Sequence, residues 1–295
     1  MELEEFFERQ LEAWPDARKR YDELKRVEIK ALDGDDRLSV TLMAQWNPSR
    51  IVSTGAKIDR RSLEQRPCFL CAQNRPKEQF SLPIDDRFEL LVNPFPILPM
   101  HFTVPALTHR PQRVADCYRE LGLLLSKFPR FMFFYNGPKC GASAPDHAHL
   151  QGGSQGIVPL QKEWPKLKKT LKELRNVADG TLYEISGWPC EAFAIISKTT
   201  EADAQLFDAL YGQLPMASDE TEPMMNIVAW RDGDEQLTVV FPRTNHRPSG
   251  YPEPMISPGA LDMAGLIITP RRADFDWLDG RRATDILAEC GTKKR

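Results

Sequence analysis

Apolar residues near the N-terminus fall at helical spacing, with Phe6, Leu11 and Trp14 followed by Tyr21, Leu24 and Val27 among dense charges. The pattern predicts a surface helix broken near Pro15. From Val27 the period becomes two. VEIKAL (27–32) and RLSVTLMAQW (37–46) alternate around the turn sequence DGDD, which predicts a β-hairpin ending at Asn47-Pro48. FELLVNPFPILPMHFTVPAL (88–107) reads as two strands separated by a proline-rich turn, because proline cannot donate to a sheet ladder. ADCYRELGLLLSKF (115–128) predicts a helix, FMFFYNG (131–137) a strand, and HAHLQ (147–151) a short strand after the small-residue loop PKCGASAPD.

QKEWPKLKKTLKELRN (161–176) predicts a basic amphipathic helix with a solvated face, and it marks a boundary. Beyond it TLYEISGWP, AFAIIS, MMNIVAWRDGDEQLTVVFPR and GLIITPR supply strands, and EADAQLFDALYGQL a helix. The chain is therefore read as α+β, in two halves of similar composition, 1–160 and 161–295. The parallel between NPFPILPMHFTVP and NIVAWRDGDEQLTVVFPR suggests divergent duplication. The tail from Thr292 is expected to fray.

Composition narrows the class. With 295 residues, 41% hydrophobic and 27% charged, the chain is an ordinary globular protein, and disorder is excluded for most of it. No run approaches the roughly 20 apolar residues of a membrane helix. The acidic start MELEEFFERQ does not resemble a signal peptide, so the cytosol is the expected compartment. Against 42 acidic residues, 39 basic ones leave no global footprint for nucleic acid, and anion binding must come from a few placed groups. Six cysteines are too sparse for a disulfide scaffold, so the close pair Cys68 and Cys71 reads as thiol chemistry, a metal site or a redox pair, with two unrelated buried thiols as the bland alternative.

On a strand, His147, His149 and Gln151 would share a face. Imidazole can attack phosphorus or hold a metal, and a glutamine amide can donate to a phosphoryl oxygen without changing charge. Upstream, Asn136-Gly137-Pro138-Lys139-Cys140-Gly141-Ala142-Ser143 can form an amide nest for phosphate, with Lys139 and Ser143 as further donors. Cys68-Phe69-Leu70-Cys71 has zinc-knuckle spacing and needs two more ligands. With His149 reserved for chemistry, His109 and His147 are the candidates among five histidines. Arg50 and Lys57, and in the second half Arg243 and Arg247, are candidate phosphate partners, with ordinary surface charge as the alternative.

The segment from Asn136 to Gln151 resembles the active-site signature of the histidine-triad (HIT) branch that contains galactose-1-phosphate uridylyltransferase and diadenosine tetraphosphate phosphorylase, where His-x-His-x-Gln replaces the third histidine of the hydrolases. Met100 to His109 is similar to the family's Gly-His-x-x-x-Pro-x-x-x-His element, with methionine in place of the usual glycine. Asn93-Pro94-Phe95-Pro96 resembles its nucleoside-binding turn, and the cysteine pair its zinc half-site. The interval from Ser143 to His147 is longer than in the uridylyltransferases. The resemblance implies a HIT-like antiparallel sheet with flanking helices, two HIT-like halves in one chain, and a structural zinc on Cys68, Cys71, His109 and His147. It also implies nucleotidyl transfer through a covalent intermediate on His149. Gln151 would hold a non-bridging oxygen, and Asn93, Asn136, Gly141, Ala142 and Ser143 would bind the nucleotide and its phosphates. The partners implied are a nucleotide substrate and a phosphate or sugar-phosphate acceptor; a HIT hydrolase and an inactive zinc-containing nucleotide-binding module are the alternatives.

Overall fold

The helical spacing at the N-terminus is realised as two helices, Leu3–Ala13 and Pro15–Leu24. Pro15 starts the second, where its missing N–H leaves no hydrogen bond unmade. The computed structural model describes residues 2–55, 59–218 and 220–293. Strands β1 (Glu28–Leu32) and β2 (Leu42–Trp46) form the expected antiparallel hairpin, with Glu28 opposite Trp46. The second strand starts later than its alternation predicts. Asp35 accepts from both the backbone and the guanidinium of Arg37, which draws this stretch into the turn.

Ten strands form one larger sheet among the described residues: β3 (Leu82–Pro83), β4 (Glu89–Val92), β5 (His101–Pro105), β6 (Phe131–Asn136), β7 (His149–Ser154), β8 (Leu171–Val177), β9 (Gly180–Ile185), β10 (Phe193–Ser197), β11 (Met225–Asp232) and β12 (Glu235–Pro242). Their order is β3-β4-β5-β7-β6-β11-β12-β10-β9-β8, with every neighbour antiparallel. Read inward from either edge, the two sets of five strands have the same order. A helix links the third and fourth strand of each set, Tyr118–Lys127 in one and Thr200–Tyr211 in the other. The sets join where β6 pairs with β11, Asn136 opposite Asn226.

Both faces of this sheet are covered, which explains why β6 reads as an unbroken apolar run. Phe133 and Tyr135 enter a core with Phe102, Leu121, Leu150 and Phe207, under the two linking helices. Met132 and Phe134 point the other way, into a core with Leu98, Trp188, Val239 and Phe241. That second core is closed by the small sheet β1-β2-β13, in which β13 (Leu266–Thr269) runs parallel to β2, and by the C-terminal helix Gly280–Cys290.

Two predicted elements are corrected. The helix expected over 161–176 is instead two short turns, Pro159–Lys162 and Trp164–Leu167, followed by β8. Leu171, Leu174 and Val177 are spaced by three, which imitates a helix. β8 is an edge strand exposed along most of its length, so no core imposed a period of two on its sequence. Asp179, at φ 63°, turns it into β9. The second correction is that β7 begins at His149, so His147 lies before the strand and does not share its face. No helix of the described residues is long and apolar enough to cross a membrane.

Candidate active site

A cavity of about 1060 Å³ opens on the face of the sheet opposite the linking helices. β7 lays His149 and Gln151 along its floor beside Thr103 of β5 and Phe134 of β6. Trp14, between the two N-terminal helices, and Arg20 of the second form one wall, and Gly259 to Asp262 of the second half form another.

His149 is 3% exposed and held from three sides. Its backbone N–H donates to Gln112 Oε1 at 2.7 Å, and Gln112 Nε2 returns a bond to the His149 carbonyl at 2.9 Å. Its ring Nδ1 lies 2.8 Å from the carbonyl oxygen of His147. A carbonyl can only accept, so Nδ1 carries the proton and Nε2 carries the lone pair. Burial lowers the pKa of this ring to about 4.

Gln151 is oriented by a second buried histidine. The Ile97 N–H donates to His101 Nδ1 at 3.2 Å, which leaves the proton on Nε2 to donate to Gln151 Oε1 at 3.0 Å. The amide oxygen is thereby engaged away from the cavity, and the amide NH2 is the group left to meet a ligand. Burial holds the pKa of His101 at about 3, so it stays neutral in this role.

Gly141, Ala142 and Ser143 line the cavity, and their N–H groups donate to nothing among the described residues. Gly141 has φ +96°, and a Cβ there would fall 2.8 Å from the Gly259 Cα. Only glycine lets the loop pass so close to the second half. Asn136 lines the cavity, but its Oδ1 accepts from Asn226 Nδ2 at 2.9 Å and from the Ala260 N–H at 2.7 Å, tying the halves together. Asn93 is also in the lining; it shapes its turn by accepting from the Phe95 N–H and donating to Thr103 Oγ1. Arg50 lines the cavity and donates to the Phe95 carbonyl at 2.8 Å.

Two expected phosphate partners are placed elsewhere. Lys139 lies outside the lining and pairs with Glu220. Arg243 is 3% exposed and donates to the carbonyls of Cys290, Pro258, Asn245 and His246 and to Asn226 Oδ1, so its fork is a structural clamp. Lys57 falls outside the described residues.

Next to the floor, Cys68, Cys71, His109 and His147 gather their ligand atoms within 4.8 Å of one another. Cys68 Sγ lies 3.3 Å from His147 Nδ1, and Cys71 Sγ 3.2 Å from His109 Nδ1. These separations suit the edges of a tetrahedron around a metal of roughly 2.0–2.3 Å bond length. His147 Nε2 donates to the Ala106 carbonyl at 2.8 Å, which leaves Nδ1 deprotonated toward the thiols. That is the outer bond a metal-ligating imidazole characteristically makes. The four residues fit a metal ion, and the carbonyl of the ligand candidate His147 also fixes the tautomer of His149.

Sequence reasoning missed Gln112 and gave His101 no role. Gln112 is a lone glutamine in a loop, and His101, although the first histidine of the Gly-His-x-x-x-Pro-x-x-x-His-like element, is a strand residue whose partner is fifty positions away. Arg20 and Arg66 in the lining were also missed, because isolated arginines look like surface charge until the chain is folded; Arg247, the second arginine of the 241–248 segment, does line the cavity.

A family profile described as "Domain of unknown function (DUF4922)" matches residues 6–154, just over half of the chain. Comparison with curated proteins finds no match. Among solved structures, yeast Ap4A phosphorylase Apa2 is similar with a TM-score of 0.67 at 18% identity, over 96% of this chain and 98% of that one. The same yeast protein in complex with AMP gives 0.61 at 18% identity, over 96% and 97%. In complex with Ap4A it gives 0.57 at 17% identity, over 94% and 96%. The HIT-like α+β fold expected from the sequence motifs is thus the fold observed.

Proposed function

This chain belongs to the DUF4922 family, and from that premise, together with the geometry of its cavity, we propose that it is a nucleotidyltransferase or phosphorylase acting through a nucleotidyl-histidine intermediate. The observation that carries the reading is the tautomer of His149: a buried neutral imidazole with Nδ1–H tied to a carbonyl and the Nε2 lone pair left for chemistry, in a cavity with an amide nest. The likeness in fold to a yeast Ap4A phosphorylase supports the same class.

In this mechanism Nε2 of His149 attacks the α-phosphorus of a nucleoside polyphosphate or nucleotide sugar. A P–N bond forms and the P–O bond to the leaving phosphate breaks. The positive charge on the ring is met by the Nδ1–H bond to the His147 carbonyl. The NH2 of Gln151 donates to a non-bridging oxygen as charge develops, and the amides of 141–143 receive the phosphate chain. In the second step an oxygen of a phosphate-bearing acceptor attacks phosphorus, the P–N bond breaks, and His149 returns to its starting form. A carboxamide at position 151 cannot protonate or deprotonate anything, so the acceptor must arrive already nucleophilic, which favours a phosphate over water.

Cys68, Cys71, His109 and His147 would hold a structural zinc, which when bound fills its coordination with protein ligands and adds folding energy. We read the two equally ordered sets of strands as divergent copies, with boundaries near 160. In the second copy the sheet face corresponding to the His149 face carries Leu237, Val239 and Phe241, packed in the core. Only the first copy therefore keeps a reaction centre.

The test is to incubate the protein with labelled dinucleoside tetraphosphate or nucleotide sugar, with and without orthophosphate. Products that require orthophosphate support transfer; equal turnover in its absence would make the hydrolase the better reading, and no turnover of any substrate would favour the inactive binding module.

A further inference from the structure

Arg66 stands two residues before the cysteine knuckle and lines the cavity. One arm of its guanidinium is fixed: Nη2 donates to the Ser143 carbonyl at 3.2 Å and to Asp146 Oδ1 at 2.9 Å. The other arm is not. Nη1 is buried and has no hydrogen-bond partner among the described residues, while the guanidinium carbon lies 5.0 Å from the ring centre of Phe69, itself a cavity residue.

A buried guanidinium nitrogen with two unmet protons is costly, and such a group in a native site is explained when a ligand supplies the acceptor. Asp146 pairs with Nη2 and leaves the hydrogen-bonding capacity of Nη1 unused. The same arginine grips the loop whose Gly141, Ala142 and Ser143 amides are unpaired among the described residues. Loop amides and a guanidinium held at fixed separation match the several oxygens of one phosphate chain better than a single point charge would.

We propose that Arg66 is the cationic partner of the 141–143 amide nest, contacting the phosphate chain of the leaving or accepting group and setting preference for ligands that carry one. This deepens the nucleotidyl-transfer reading and rests on it for the identity of the chain, but the site itself is defined by anion binding and needs no turnover. It gives the phosphates a charge that neither Lys139 nor Arg243 supplies.

The experiment is equilibrium titration of the metal-replete protein with inorganic tripolyphosphate at fixed ionic strength. Arg66→Gln should weaken binding by about tenfold or more, the scale of a lost charge-assisted hydrogen bond. Arg66→Lys, which keeps a charge for Asp146 but not the fork, should show an intermediate loss, and it serves as the measurement if the glutamine variant fails to fold. Arg37→Gln, at an exposed arginine outside the cavity lining, should bind as wild type. The proposal is overturned if wild type does not bind tripolyphosphate or if both Arg66 variants bind it as wild type does. It is equally overturned if both lose metal along with binding, since Arg66 would then act through the knuckle. Adduct formation at His149 is measured separately with labelled nucleotide, so failure of the nucleotidyl-histidine reading and failure of the anion site are separate results.

Discussion

Gln112 shows how one side chain can hold the proposed nucleophile in place through its backbone. Its amide bonds the N–H and carbonyl of His149 and the carbonyl of Asn136, all buried. Gln112→Ala should cost about 2–4 kcal/mol of stability through the orphaned groups, measured by denaturant unfolding. Substituting His101 separates orientation from contact. Gln151→Ala should lower kcat by about 10²–10³, the scale of losing one donor to developing charge. His101→Phe should lower kcat by a smaller factor with KM little changed, because the Gln151 amide would remain but lose the bond that turns it. His101 also gives a pH signature. Its folded pKa, about 3, lies below the ordinary value near 6.5, so the unfolded chain takes up the proton first. Its contribution to stability is present above pH 6.5 and is lost as pH falls toward 3. Unfolding free energies measured across that window should fall less steeply with acid for His101→Gln than for wild type; identical slopes would refute the assignment. At this scale the spacing of His149 and Gln151 made them candidates and both line the cavity, yet their orienting partners stayed invisible because those bonds cross 37 and 50 positions.

The strands that meet a core on at least one face were legible, because burial imposes a pattern: β4, β5, β6, β11 and β12 lie where apolar runs predicted them. β8 was not, since its exposed edge left lysine, glutamate and arginine free to imitate a helix. β7 carries a constraint that its motif does not reveal. Directly after Gln151, a Cβ at Gly152 would collide with the Phe133 ring and one at Gly153 with the Met100 carbonyl. Gly153→Ala should therefore destabilise by about 1–3 kcal/mol, through a displaced β5–β7 ladder. Thermal unfolding unchanged by this substitution would contradict the packing described here.

For the whole molecule, the cavity belongs to both halves. Asn136 bonds Asn226, and Arg243 bonds Asn226 and the Pro258 carbonyl, so the second half holds the nest in place from behind. Arg243→Ala should lower stability by on the order of 3 kcal/mol or more, because several buried carbonyls lose their donor at once. If it were a phosphate ligand instead, the loss would appear in KM with stability intact. Metal removal should behave in the same direction: chelation should lower the melting temperature, and elemental analysis of purified protein should find zinc near one per chain. The sequence disclosed the four metal candidates because their types are rare in this chain. It did not disclose the interlock of the halves, which uses common residues whose meaning appears only when β6 and β11 pair.

The most direct test of the central claim is to mix the protein with a dinucleoside tetraphosphate or a nucleotide sugar in the absence of acceptor, quench in alkali, and map the modified peptide by mass spectrometry. The account predicts a nucleotidyl group on His149, absent from His149→Ala, that decays faster in orthophosphate than in buffer. Turnover without any adduct at His149, or undiminished turnover by His149→Ala, would contradict it.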